Sequence, residues 1–149
     1  MSFARILVAT DFGESSRQAL EWGLRIAQQF GSELTLMHSW DPPNYSYAAG
    51  LYLPVDIVTP IERAAAARLE ESIAELRQRF PAAKSLLCEG APWEQVLDAA
   101  TRLNADLIVM GTHGRSGLER ALLGSVAEKV VRMSRVPVLT VHEARGALE

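Results

Sequence analysis

Very little in this sequence could cross-link the chain or carry it through a membrane. Cys88 is the one cysteine, which excludes a disulfide framework and any zinc site built from thiolates. No apolar stretch approaches the ~20 residues of a spanning helix. The opening residues, Met1-Ser2-Phe3-Ala4-Arg5, lack a basic segment followed by a long apolar one, so no secretory leader is expected. Lysine is scarce, with only Lys84 and Lys129, and fifteen basic residues face eighteen acidic ones for a net charge of -3. A protein that grips nucleic acid through its phosphates needs a basic face, and this balance argues against one. With 48% hydrophobic and 22% charged residues, the composition is globular. The 149 residues read as a single domain over 1–149, large enough to bury a core without staples. The expected location is cytoplasmic.

Short apolar runs alternate with helix-period segments along the chain. Arg5 to Ala9, Glu33 to Trp40, Lys84 to Glu89, Asp106 to Met110 and Val136 to Val141 read as strands, the first and fourth without alternation, as in strands covered on both faces. Between them the periodicity predicts helices: from caps at Ser15-Ser16 to Phe30, closed by Gly31; from Ile61 to Phe80, stopped by Pro81; from Gly90-Ala91-Pro92 through Leu103; and from about Leu118 to Met133. Five strands separated by four helices predict an α/β fold, a doubly wound five-stranded parallel sheet with helices on both faces. Ligands of such sheets lie at the carboxyl ends of the strands, near the point where the strand order reverses. That directs attention to Thr10-Asp11, Ser39-Trp40 and the segment after Met110. Trp22, Trp40 and Trp93 read as core positions, with Trp40 beside the candidate site. The 41–60 connection, with Tyr45, Tyr47 and Tyr52, is long enough to be functional or simply a surface loop.

The segment Gly111-Thr112-His113-Gly114-Arg115-Ser116-Gly117, followed by Leu118 to Leu123 and then Gly124-Ser125, leaves a strand and enters a helix. Glycines let the backbone approach a ligand, and a helix N-terminus presents free N–H groups and the positive end of a dipole. Those properties describe either a phosphate cradle or a pliant strand-to-helix turn.

The spacing adds more. Two residues separate Gly111 from Gly114, nine separate Gly114 from Gly124, and Ser125 follows at once. This resembles the G-x2-G-x9-G-[ST] signature of the ATP-binding branch of the universal stress protein family. Val8-Ala9-Thr10-Asp11, Leu34 to Trp40, Asp106 to Arg115, Leu122 to Ala127 and Val136 to Val141 resemble further stretches of that family, so the likeness runs over essentially the whole chain. It implies a site. Asp11 would meet the ribose or adenosine, and the main chain at Thr10 and Ser39 would edge the adenine. Gly111, His113 and Gly114 would approach ribose and phosphates, while Gly124, Ser125 and Val126 would hold the β/γ-phosphates. The family often has Val where this chain has Ser39, a change that a main-chain contact survives. The resemblance further implies ATP, with Mg²⁺ accompanying it, and a homodimer formed through the last strand.

Competing chemistries lack their residues. There is no G-x4-G-K-[ST], no G-x-G-x-x-G after the first strand and no G-x-S-x-G elbow. A phospho-receiver would want an acidic neighbour for Asp11 and a lysine near the fifth strand, and has neither. His38, His113 and His142 show no metal-ligand spacing. His38 reads as a satisfied strand-end side chain and His142 as exposed, while Asp11 is equally suited to cap the first helix. The expected function is an ATP-binding stress-response sensor or regulator, with a slow ATPase or nucleotide-dependent transferase as the alternative. No catalytic residues and no resident metal ligands are assigned.

Overall fold

A computed structural model describes residues 2–43, 56–113 and 123–143. In chain order the elements are β1 (Arg5–Ala9), α1 (Glu14–Phe30), β2 (Glu33–Trp40), α2 (Val58–Arg79), β3 (Lys84–Glu89), α3 (Pro92–Arg102), β4 (Leu107–Gly111), α4 (Ser125–Met133) and β5 (Val138–Val141). The five strands form one parallel sheet in the order β3-β2-β1-β4-β5. Ile6 of β1 stands opposite Leu34 of β2 on one side and Leu107 of β4 on the other. The chain therefore winds outward one way through β2 and β3, then the other way through β4 and β5, and the order reverses between β1 and β4.

Covering both faces explains the unbroken apolar runs. Ile6, Val8, Leu34, Leu36 and Val109 pack with Leu24 of α1 and Leu69 and Ile73 of α2. Leu7, Met37, Ile108 and Met110 face the other way, onto Val96 and Ala99 of α3 and Ala127 and Val130 of α4. Each fully buried Leu, Ile or Met contributes roughly 1.5–3 kcal/mol against exposure. The helix stripes follow expectation: Ala19, Leu24 and Ala27 of α1 and Ala65, Leu69, Ile73 and Leu76 of α2 are buried. Gly31 closes α1 in the left-handed conformation (φ 65°), its N–H returning to the Ala27 carbonyl.

Several boundaries differ from the sequence reading. Ser15 and Ser16 do not cap α1 but lie inside its first turn, buried, with Gly13 at the N-cap. Asp11 instead shapes the turn before the helix: its Oδ1 accepts from Gly13 N–H at 2.8 Å and from Ser16 Oγ at 2.6 Å. α2 starts at Val58 rather than Ile61, because Asp56 Oδ1 receives the Val58 and Thr59 amides at 3.1 Å; Ile61 is left exposed. α4 begins at Ser125, and Leu123 and Gly124 precede it without helical structure. β5 starts at Val138 rather than Val136. Trp40 is buried, but Trp22 is 49% exposed on the outer face of α1, with the Arg25 guanidinium 5.6 Å over its ring. Residues 44–55, with the three tyrosines, lie outside the described residues.

Candidate functional site

At the carboxyl ends of the strands, beside the reversal between β1 and β4, a cavity of about 460 Å³ opens, a volume suited to a small organic ligand. Ala9, Thr10 and Asp11 border it from the β1 exit, Met37, His38 and Ser39 from β2, Met110 to His113 from β4, Pro92 and Val96 from α3, and Leu123 to Ala127 from the start of α4. Of the nine residues singled out in the sequence, eight surround this one space: Thr10, Asp11, Ser39, Gly111, His113, Gly124, Ser125 and Val126. Gly114 lies outside the described residues.

Each wall has a local cause. β1 and β2 run in register only as far as Ala9 opposite Met37. Thr10 N–H still donates to the Met37 carbonyl at 2.9 Å, but the Thr10 carbonyl lies 2.8 Å from His38 Nδ1. A carbonyl only accepts, so Nδ1 carries the proton there. The chain then leaves the sheet through Phe12, which holds a left-handed φ of 66°. Its N–H donates to Thr10 Oγ1 at 3.0 Å, its ring tilts over that of His38 at 4.3 Å, and the Arg68 guanidinium sits 4.6 Å over it. Such a conformation costs about 1 kcal/mol or more for a bulky residue, and here three contacts hold it. Its effect is to end the ladder at the strand order's turning point.

β2 continues past that end. Met37 and Trp40 turn their carbonyls to opposite neighbours, Met37 to Thr10 and Trp40 to Gly90 N–H at 2.9 Å. Ser39 shares the direction of Met37, so its main-chain N–H and carbonyl point toward the space beyond β1. The Ser39 hydroxyl donates to the Gly90 carbonyl at 2.7 Å, tying β2 to the loop before α3.

The β4 side is built on two contacts that the sequence did not announce. A Cβ at Gly111 would collide with Ser15, whose carbonyl carbon would lie 2.8 Å away and whose Oγ closer still. Gly111 is therefore required by the approach of α1 to β4, before any ligand is considered. Ser15 Oγ donates to the His113 carbonyl at 2.6 Å, fixing the strand exit against the same helix. Thr112 is 1% exposed. Its N–H donates to Val141 of β5, its carbonyl accepts from Gly124 N–H, and its Oγ1 lies 3.1 Å from His142 Nδ1. Gly124 is the N-cap of α4, with an extended φ of -67°, so the left-handed freedom of glycine is not used there. The first amides of a helix have no intrahelical partner; at α4 they belong to Ser125 and Val126, which border the cavity.

The polar inventory is small. Asp11 is the one carboxylate among the described lining residues, and they include neither Lys nor Arg. Both hydrogen bonds that Asp11 accepts from described residues use Oδ1. No group of three His, Cys, Asp or Glu converges among the described residues. Cys88 lies in the core on the α3 face, and burial pushes its thiol above the ordinary range, which suppresses the nucleophilic thiolate. Among the described residues the cavity offers one acidic group, strand-end main chain, two imidazoles and a helix N-terminus. Such a set can bind a ligand with hydroxyls at one end and negative charge at the other.

A parallel α/β sandwich with its crevice at the strand reversal defines a class of small ligand-binding domain. The sequence matches the universal stress protein family over residues 2–142, and the chain belongs to that family. It is 31% identical over 145 residues to universal stress protein MJ0531 of Methanocaldococcus jannaschii, covering 96% of this chain and 84% of that one. It is 32% identical over 160 residues to the stress response protein NhaX of Bacillus subtilis, covering 92% and 96%. Among solved structures, universal stress protein UspA from Lactobacillus plantarum superposes with a TM-score of 0.82 at 23% identity, covering 95% of this chain and 99% of that one. A universal stress protein in complex with cAMP matches with a TM-score of 0.64 at 27% identity, covering 97% and 100%. No helix among the described residues is long and apolar enough to cross a membrane.

Proposed function

We propose that the chain binds an adenine nucleotide in this crevice, with ATP as the form that fills it, and serves as a nucleotide-dependent stress-response regulator. The observation that carries this reading is the meeting of Asp11, the Ser39 main chain and the α4 N-terminus around one cavity. The relative solved with cAMP supports an adenine nucleotide. In the proposed pose the base lies against Ser39, where an N–H and a carbonyl side by side can pair with a ring nitrogen and an exocyclic amine. Asp11 then faces the ribose, since a carboxylate beside phosphate would repel it. Gly124, Ser125 and Val126 take the phosphates. Mg²⁺ would arrive on the phosphates, because Asp11 is the sole carboxylate that the described lining residues offer and this ion is commonly held by phosphates and water. We further propose a cytoplasmic homodimer through β5, which occupies an edge of the sheet; an uncovered apolar edge invites pairing.

Calorimetric titration of the purified chain with ATP, ADP, AMP and adenosine tests the reading, and the absence of binding by all four refutes it. The pose adds a finer expectation. Ser125→Ala weakens ATP several-fold while AMP is held nearly as before, because only the longer phosphate chain reaches the start of α4. Equal losses for both would move the phosphates elsewhere.

Hydrolysis is expected to be slow. In-line attack needs a positioned base and neutralisation of the γ-phosphate, and Asp11 is committed to the turn before α1. Single-turnover assays with Mg²⁺ and labelled ATP should give rates far below the ~1–10³ s⁻¹ of ordinary enzymes. Fast hydrolysis abolished by His113→Ala or Ser125→Ala would establish the ATPase instead.

A further inference from the structure

Ser39 contributes more than main chain to the cavity. Alternation along β2 puts its side chain on the face of Met37, toward α3, and its hydroxyl donates to the Gly90 carbonyl at 2.7 Å. The register between β2 and β3 ends with Trp40 opposite Glu89, and Gly90 N–H donates to the Trp40 carbonyl at 2.9 Å. Gly90 is therefore gripped at its N–H and at its carbonyl by two adjacent residues of one strand. Its φ of 137° is one that residues with a side chain rarely adopt, and a Cβ there would lie 2.7 Å from Gln95 Nε2. This glycine carries the chain off β3, and two residues later α3 begins with Pro92.

Pro92 and Val96 are the α3 wall of the cavity that Ser39 also lines. Val96 and Ala99 are buried and anchor the helix from its second turn onward, which leaves the first turn to be set by Gly90. We propose that the Ser39 hydroxyl is a positioning group for base recognition. By holding the Gly90 carbonyl it fixes the first turn of α3 against the end of β2, and with it the slot in which a base meets the Ser39 main chain. This inference rests on the proposed nucleotide reading and adds to it the side chain that makes the base site selective.

The consequence for selectivity follows from hydrogen-bond matching. Adenine offers a ring nitrogen that accepts and an amine that donates, which suits an N–H beside a carbonyl. Inosine presents the reverse, an N–H and a carbonyl, so donor faces donor and acceptor faces acceptor. That mismatch is costly only while the base is kept in line with the main chain and away from water, because the penalty comes from buried polar groups left unpaired. A fixed α3 wall keeps it so. A wall released from Ser39 lets the base tilt and water reach the mismatched groups, and discrimination falls together with affinity.

Calorimetric titration of the full chain with ATP, adenosine and inosine, beside thermal melts, tests this in wild type, Ser39→Ala and Ser39→Thr. Wild type should prefer adenosine to inosine by about tenfold or more. Ser39→Ala should bind ATP and adenosine roughly five- to tenfold more weakly and inosine almost as wild type does, so the preference shrinks by that factor. It should melt within about 4 °C of wild type, as for the loss of one hydrogen bond. Ser39→Thr keeps a hydroxyl on a side chain suited to a strand and should restore both affinity and preference. An unchanged preference in Ser39→Ala, whatever its affinity or melting point, makes the bond structural only and overturns the positioning role, as does a Ser39→Thr protein no better than Ser39→Ala. ATP binding by wild type leaves the nucleotide reading standing in either case. Equal affinity of wild type for adenosine and inosine removes base recognition from Ser39 and the proposal with it. Failure of all three ligands to bind wild type overturns the nucleotide reading itself.

Discussion

Gly124→Val should yield a folded protein with at least a hundredfold weaker ATP binding, or about 2.7 kcal/mol. Gly124 sits at the N-cap of α4 with φ -67° and ψ 166°, an extended conformation open to any residue, so valine meets no backbone strain there. The cost to stability is the poor capping of a branched apolar residue, about 1 kcal/mol or less, and a melting point lower by about 2–4 °C for a chain of this size. Binding suffers far more. Gly124 borders the cavity where the free amides of Ser125 and Val126 lie, and two methyl groups there would stand where the proposed pose puts a phosphate oxygen. Calorimetry with ATP, beside a thermal melt, separates the two effects. Wild-type affinity in a well-folded variant would take the α4 N-terminus out of the site.

Substitutions at Asp11 should divide a structural task from a binding task. Oδ1 receives Gly13 N–H and Ser16 Oγ, and Asp11 N–H lies 3.2 Å from the same Ser16 oxygen. Asp11→Ala removes the acceptor from both donors, and unsatisfied part-buried donors cost roughly 1–3 kcal/mol; its melting point should fall by several degrees. Asp11→Asn keeps an oxygen at the Oδ1 position and should melt close to wild type, but it loses the charge that strengthens a hydrogen bond to the ribose hydroxyls. Both variants should weaken AMP, ADP and ATP by similar factors, about 1.5–3 kcal/mol, or roughly ten- to a hundredfold. Wild-type binding in Asp11→Asn would leave the carboxylate with the turn alone. Strong discrimination between AMP and ATP would mean that the nucleotide lies reversed in the crevice.

The sheet and the crevice were legible because their signals are local. A strand covered on both faces must be apolar at successive residues, as Ile6-Leu7-Val8 and Leu107-Ile108-Val109 are, and helix stripes repeat at fixed spacing. Of the residues in the glycine spacing after β4, Gly111, Gly124 and Ser125 border the cavity. What the sequence hid depends on contacts between distant segments. Gly111 looked like a residue cleared for a ligand, whereas its missing side chain makes room for Ser15, ninety-six positions earlier in the chain. Ser15 and Ser16 have the composition of caps, yet both lie inside the first turn, where Ser16 Oγ donates to Asp11 Oδ1 and Ser15 Oγ to the His113 carbonyl. The apolar period running from Leu118 into α4 gave no sign of its true start, because an N-cap at Gly124 carries no side-chain signal. Thr112 stood inside a motif read for its glycines, and its burial and link to His142 appear only when β4 and β5 lie side by side.

That threonine makes the edge of the sheet and the mouth of the crevice parts of one lever. Thr112 gives its N–H to Val141 of β5 and receives the amide that begins α4, so a displacement of β5 reaches the α4 cap through a single residue. Coupling free energies are reciprocal. If a second chain on the β5 edge tightens nucleotide binding by some factor, the nucleotide must tighten that association by the same factor. Subunit exchange measured with and without ligand would then report occupancy of the crevice from the far side of β5, with no probe inside it.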